Sequence, residues 1–232
     1  MPTSHEALPP LRLNGPVYGI LLALVTLAAT ILVAHHPVAH MHDPASALSN
    51  LAAIGSRSSL VHGALIALTL LWCVGMSGFA WRLGIEHPAV MAGWLAYVCG
   101  SVFLILAGLV DGFVVPDIAA KFSLDPTAHP AALDLIAVCW ELLQASTRLG
   151  LVLIAFGSVM WGHALMHHRG IARLIALLAM ATGGMSAVYL MTKTGAIDVP
   201  TLFWYLVAQV IWNLTVAVWM IRGPKRPVTS PA

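Results

Sequence analysis

The sequence predicts an all-α integral membrane protein, a bundle of six membrane-spanning helices with both termini on the cytoplasmic side. Three observations lead there. Hydrophobic residues make up 59% of the 232 and charged residues 9%, against roughly half and a quarter in soluble domains. Apolar runs near the roughly 20 residues needed to cross a bilayer recur six times. Inside lipid each backbone amide must be bonded within its own segment, so such runs are helices.

Residues 1–16 (MPTSHEALPPLRLNGP) are polar and broken by proline, and no small-residue cleavage pattern ends the run that follows. They are expected to be a cytoplasmic tail before a retained first span, 17–34. The next spans are expected at 59–81, 89–115, 131–163, 171–191 and 201–221, with a second cytoplasmic tail at 222–232. The basic residues set the orientation. With the N-terminus inside, the inner side holds Arg12, Arg82, Arg169, Arg173, Arg222, Lys225 and Arg226, and the outer side only Arg57, Lys121 and Lys193. The connections 35–58, 116–130 and 192–200 are then outside, and the setting expected is a bacterial inner membrane. Trp204, Tyr205 and Trp219 fit the aromatic belts of the two interfaces. Gly75 and Gly78, Gly93 and Gly100, and Gly183 and Gly184 are candidates for close helix packing.

Composition also narrows the function. The chain is one domain by length. Its net charge of +2 is spread singly, with no patch for nucleic acid. Cys73, Cys99 and Cys139 each sit in an apolar run without CxxC pairing, as core residues do.

The fourth span carries both signs of charge. Asp134, Glu141 and Arg148 are spaced by sevens, so they share one helical stripe with Gln144 beside them. Ionisable groups in lipid are costly and need partners. Arg148 is expected to reach toward Glu141, or toward Asp111 in LVDGFVVP at the outer end of span three. His62, Tyr189, Gln209 and Asn213 add polar groups from three other spans. The first reading is therefore a periplasm-facing pocket built on Arg148, Glu141 and Asp111, binding or sensing a small polar ligand or a lipid head group.

The first outer connection supplies a second reading. It begins His35-His36-PVA-His40-Met41-His42, a set of imidazole and thioether groups suited to copper or zinc. A third reading comes from His163-ALM-His167-His168. With His36-PVA-His40 it resembles the histidine boxes of membrane fatty-acid desaturases and hydroxylases, which jointly hold two iron ions. That resemblance covers about a dozen residues and implies a metal-dependent oxidoreductase. An odd number of crossings separates the two stretches, which places them on opposite faces, and the third box is missing. Haem would have to join His62 to His35 or His36.

Overall fold

The structure, a computed structural model, describes residues 15–37, 44–166, 168–197 and 199–222. Among these residues every regular element is helical. The order is α1 (Gly15–Ala34), α2 (Pro44–Leu83), α3 (Pro88–Leu109), a π-turn (Val110–Val114), α4 (Val115–Phe122), a 3-10 turn (Pro126–Ala128), α5 (His129–Leu165), α6 (Ile171–Thr192) and α7 (Val199–Arg222). With α3, the π-turn and α4 running on as one rod, six helices are long and apolar enough to cross a bilayer. The chain is a multi-pass membrane protein.

Glycines set how closely the helices approach. A Cβ on Gly100 would lie 2.7 Å from the Gly150 carbonyl of α5, and one on Gly93 would lie 2.8 Å from the Trp161 ring. Gly183 meets the Ala155 carbonyl in the same way, so α5 lies between α3 and α6 with nearly touching backbones. Gly75 faces Leu22 and Gly78 faces Tyr18, which pairs α1 with α2 in antiparallel register. Gly184 departs from its partner, because nothing lies within 4 Å of its Cβ position. At the centre Phe79 packs edge-on against Trp161 and Trp212, with ring centroids 5.4 and 6.0 Å apart.

The helices differ in length, and that positions the site. α1, α6 and α7 have 20, 22 and 24 residues, or about 30–36 Å at 1.5 Å per residue, close to the hydrocarbon thickness. α2 and α5 have 40 and 37 residues, or about 60 and 55 Å. The register of Leu22 on Gly75 and Tyr18 on Gly78 carries the end of α1 to the level of His62. Everything in α2 before His62 therefore projects beyond α1.

This is the main departure from the expected boundaries. The connection expected at 35–58 is in large part the first turns of α2, and the span expected at 89–115 runs on as helix to Phe122. The reason is a second small core beyond the end of α1. Leu48 of α2, Val115 and Ala119 of α4, and Ala132, Ile136 and Cys139 of α5 are buried together there. An amphipathic face with partners stays helical in water.

Candidate metal centre

The end of α1, the body of α2 and the turn that follows α3 meet at one level. His36 stands two residues past α1, between a tightened last turn, in which His36 N–H donates to the Val33 carbonyl at 3.2 Å, and Pro37. A residue before proline is steered out of the helical region, so the chain leaves the helix at this point. His62 is on α2 and is 5% exposed. Asp111 is in the π-turn, a one-residue widening of the helix that often marks a functional position.

The approach of this turn to α2 depends on Gly112. A Cβ there would lie 2.6 Å from His62 Cγ. The Ser59 hydroxyl donates to the Gly112 carbonyl at 2.7 Å and holds the widened turn against α2.

The three side chains converge on one point. His62 Nε2 is 3.1 Å from His36 Nε2 and 3.1 Å from Asp111 Oδ2, and His36 Nε2 is 3.6 Å from the same oxygen. The two rings stand edge to face, 88° apart. His62 Nδ1 lies 2.9 Å from the Ser58 carbonyl oxygen. A carbonyl oxygen only accepts, so Nδ1 carries a proton, and Nε2 meets the carboxylate either as an N–H donor or, with its lone pair free, across a shared cation. Two electron-rich atoms facing each other at that distance call for a cation or a proton between them. Metal-ligating histidines use such a carbonyl on the other ring nitrogen to fix the tautomer.

The residues read from the sequence fall into separate groups. His36 came from the histidine-rich connection and His62 and Asp111 from the polar pocket; the structure joins them. His35 does not take part, because it is exposed and its Nδ1 donates to the Ile31 carbonyl at 2.8 Å. His40, Met41, His42 and His167 lie outside the described residues.

Arg148 is not brought to either acid. Among the described residues the ion pairs are His36–Asp111 and His62–Asp111, and no Arg148 nitrogen comes within 4.0 Å of Glu141 or Asp111. Its guanidinium donates to the Gly195 carbonyl, while Gln144 Oε1 accepts from Ile197 N–H at 2.8 Å. The α6–α7 turn, with Gly195 at φ +82°, lies across this part of α5 and offers its backbone as the partner. Glu141 and Asp134 face outward. Tyr189 contacts the Thr201 hydroxyl at 3.2 Å, and Gln209 donates to Asn213 at 3.1 Å within α7. Two apolar clefts of about 520 and 500 Å³ open between α6 and α7, and none of Arg148, Glu141 and Asp111 lines either of them.

His36 and His163, one from each histidine stretch, are at opposite ends of the bundle. Trp161, two residues before His163, donates to the Val90 carbonyl at the start of α3. Asp111, just past the end of α3, is 21 residues after Val90, or about 32 Å away. A shared di-iron site is out of reach. A haem between His36 and His62 is equally poorly served, since trans ligands of one iron stand about 4 Å apart, and these two nitrogens are at 3.1 Å.

The sequence carried part of the signal for the triad. It placed the end of span one, the start of span two and the end of span three on one side. It did not show that they touch. Comparison of the chain with protein-family models, curated proteins and solved structures finds no match.

Proposed function

We propose that this membrane protein binds one zinc-class divalent ion through His36 Nε2, His62 Nε2 and Asp111 Oδ2, at the level where α1 leaves the lipid. The observation that carries the reading is the convergence of three donor atoms within 3.6 Å, with His62 held in the metal-binding tautomer by Ser58.

The dimensions fit a metal. A triangle with those edges has a circumradius of about 1.9 Å, so an ion about 2.05 Å from each donor sits about 0.8 Å above the plane, near the about 0.7 Å of a regular tetrahedron. Two imidazoles, one carboxylate and an open position form the donor set of mononuclear zinc and non-haem iron(II) centres. The side chains of His36 and Asp111 are 34% and 38% exposed, so the fourth position faces outward and is open to exchange with water or another small oxygen ligand. An ion held there would supply Lewis acidity and lower the pKa of a bound water toward about 7. His36, His62 and Asp111 hold the ion, Ser58 orients His62, and Ser59 and Gly112 seat the turn that carries Asp111. In the expected orientation the site opens to the periplasmic side of a bacterial inner membrane.

The test is metal analysis of untagged protein loaded with zinc and then dialysed. About one ion per chain is expected in the native form and in His35→Ala, and none in His62→Ala or the isosteric Asp111→Asn. A native chain that retains no zinc, or equal retention in all four, would overturn the proposal.

A further inference from the structure

Halfway through the bundle the core carries polar side chains of one kind. Among the described residues five buried side-chain atoms have no hydrogen-bond partner in the protein: Thr26 Oγ1, Trp72 Nε1, Tyr97 OH, Trp212 Nε1 and Asn213 Nδ2. Each of them is a donor. Tyr97, Trp212 and Asn213 are 1% exposed.

These atoms share a level. Thr26, Trp72, Tyr97 and Asn213 lie nine to eleven residues from the same end of α1, α2, α3 and α7, or about 14–17 Å, the middle of a hydrocarbon core of about 30 Å. Helix packing agrees, since Gly19 lies against Met220, and seven residues further along these antiparallel helices come Thr26 and Asn213. Across the bundle, Trp72 stands edge-on to Tyr97 with ring centroids 5.9 Å apart. Gln209 adjoins Tyr97 and donates to Asn213 at 3.1 Å. α7 packs closely on α1 and α6 but not on α2 or α3. Large side chains therefore span the space between, and their polar ends do not satisfy one another.

A donor left unpaired in an apolar interior gives up its bond to water and gains nothing. Five such losses are comparable with the net stability of a whole domain. Whatever answers them must bring lone pairs. It must be neutral, because no Asp, Glu, Lys or Arg among the described residues stands at this level, and small, because Leu22, Met76 and Phe79 fill the adjoining core. Water meets all three conditions, accepting two hydrogen bonds and giving its own protons to oxygens such as Gln209 Oε1. We infer that the layer of Thr26, Trp72, Tyr97, Gln209, Trp212 and Asn213 is a mid-membrane binding site for about two or three ordered waters. The waters tie α7 to α2 and α3 where no backbones touch. The site shares no residue with the metal centre, so the two stand or fall separately.

Hydroxyl-radical footprinting by a short X-ray pulse tests this on the full chain in lipid nanodiscs, because the radicals arise from water and oxidise a buried side chain where water adjoins it. Two matched pairs serve. Trp212 is expected to be oxidised several-fold faster than Trp161, which is 0% exposed but whose Nε1 donates to the Val90 carbonyl. Tyr97 is expected to be oxidised faster than Tyr205, whose hydroxyl donates to the Leu151 carbonyl. Asn213→Leu should slow oxidation at Trp212 and Tyr97 and leave exposed Trp204 unchanged. Rates at Trp212 and Tyr97 no higher than at Trp161 and Tyr205 in the native chain would overturn the inference. A native mass spectrum in which the 24.6 kDa chain retains an organic molecule that Asn213→Leu loses would give the donors a different partner and overturn it as well.

Discussion

Gly112→Ala tests the link between backbone approach and metal binding. The added Cβ would lie 2.6 Å from His62 Cγ and 3.1 Å from its Nδ1. Carbon atoms settle at about 3.5–4.0 Å, so the π-turn and α2 must part by about 1 Å. The His62–Asp111 separation of 3.1 Å then opens to about 4 Å, and an ion about 2.1 Å from all three donors is forced into their plane, away from tetrahedral geometry. Zinc affinity should fall at least as far as when a supporting partner of a metal ligand is lost, about 10- to 100-fold. Overpacking adds a stability loss of about 1–3 kcal/mol. The assay is a competition titration against a chromophoric chelator, beside thermal unfolding with and without zinc. Gly184→Ala serves as the control, since its Cβ would meet nothing within 4 Å. If Gly112→Ala lowered stability yet bound zinc with native affinity, the turn would be a packing feature only and the geometric argument would fail.

Other consequences are open to measurement. Zinc at a hundredfold over its Kd should stabilise the native chain by about 2.7 kcal/mol and leave the thermal midpoint of Asp111→Asn unchanged; an equal shift in both would place the ion elsewhere. Binding requires both Nε2 atoms free of protons, so affinity should weaken as pH falls; a flat profile from pH 5 to 8 in a zinc titration would contradict histidine ligation. Ser59→Ala removes the hydroxyl bonded to the Gly112 carbonyl and should cost about 1 kcal/mol in denaturant unfolding, with zinc held more weakly and not lost. Arg148→Ala and Glu141→Ala should add to within about 0.5 kcal/mol in the double variant, because Arg148 binds the Gly195 carbonyl and leaves no stranded acid; a coupling above 1 kcal/mol would restore the ion pair expected from the spacing.

The bundle was legible because lipid imposes so few solutions. Six apolar runs and a low charge content lead to six helices whatever the side chains do. The part beyond the lipid was hidden. The stretch Ser46–Ser59 holds five serines with Asn50, Gly55 and Arg57 and reads as a connection, but Leu48, Leu51 and Ala52 lie on one face and find α4 and α5. Arg148 was read from its own helix, where the nearest acid is Glu141. Its actual partner is a backbone carbonyl in a turn 47 residues away, and no side-chain pattern announces a carbonyl. The triad was legible in pieces. A histidine-rich connection, a histidine high in span two and an aspartate beside a glycine at the end of span three are each visible. That Gly112 lets the last of these lie against His62 follows only from the packing of α2 on the π-turn.

The most direct measurement is the visible spectrum of the protein reconstituted with cobalt(II), which reports coordination number and donor type. Two imidazoles, one carboxylate and one water should give the intense bands of a four-coordinate ion, lost in His62→Ala and altered by a small added anion. A weak six-coordinate spectrum identical in the native chain and His62→Ala would mean that His36, His62 and Asp111 share protons and hold no metal.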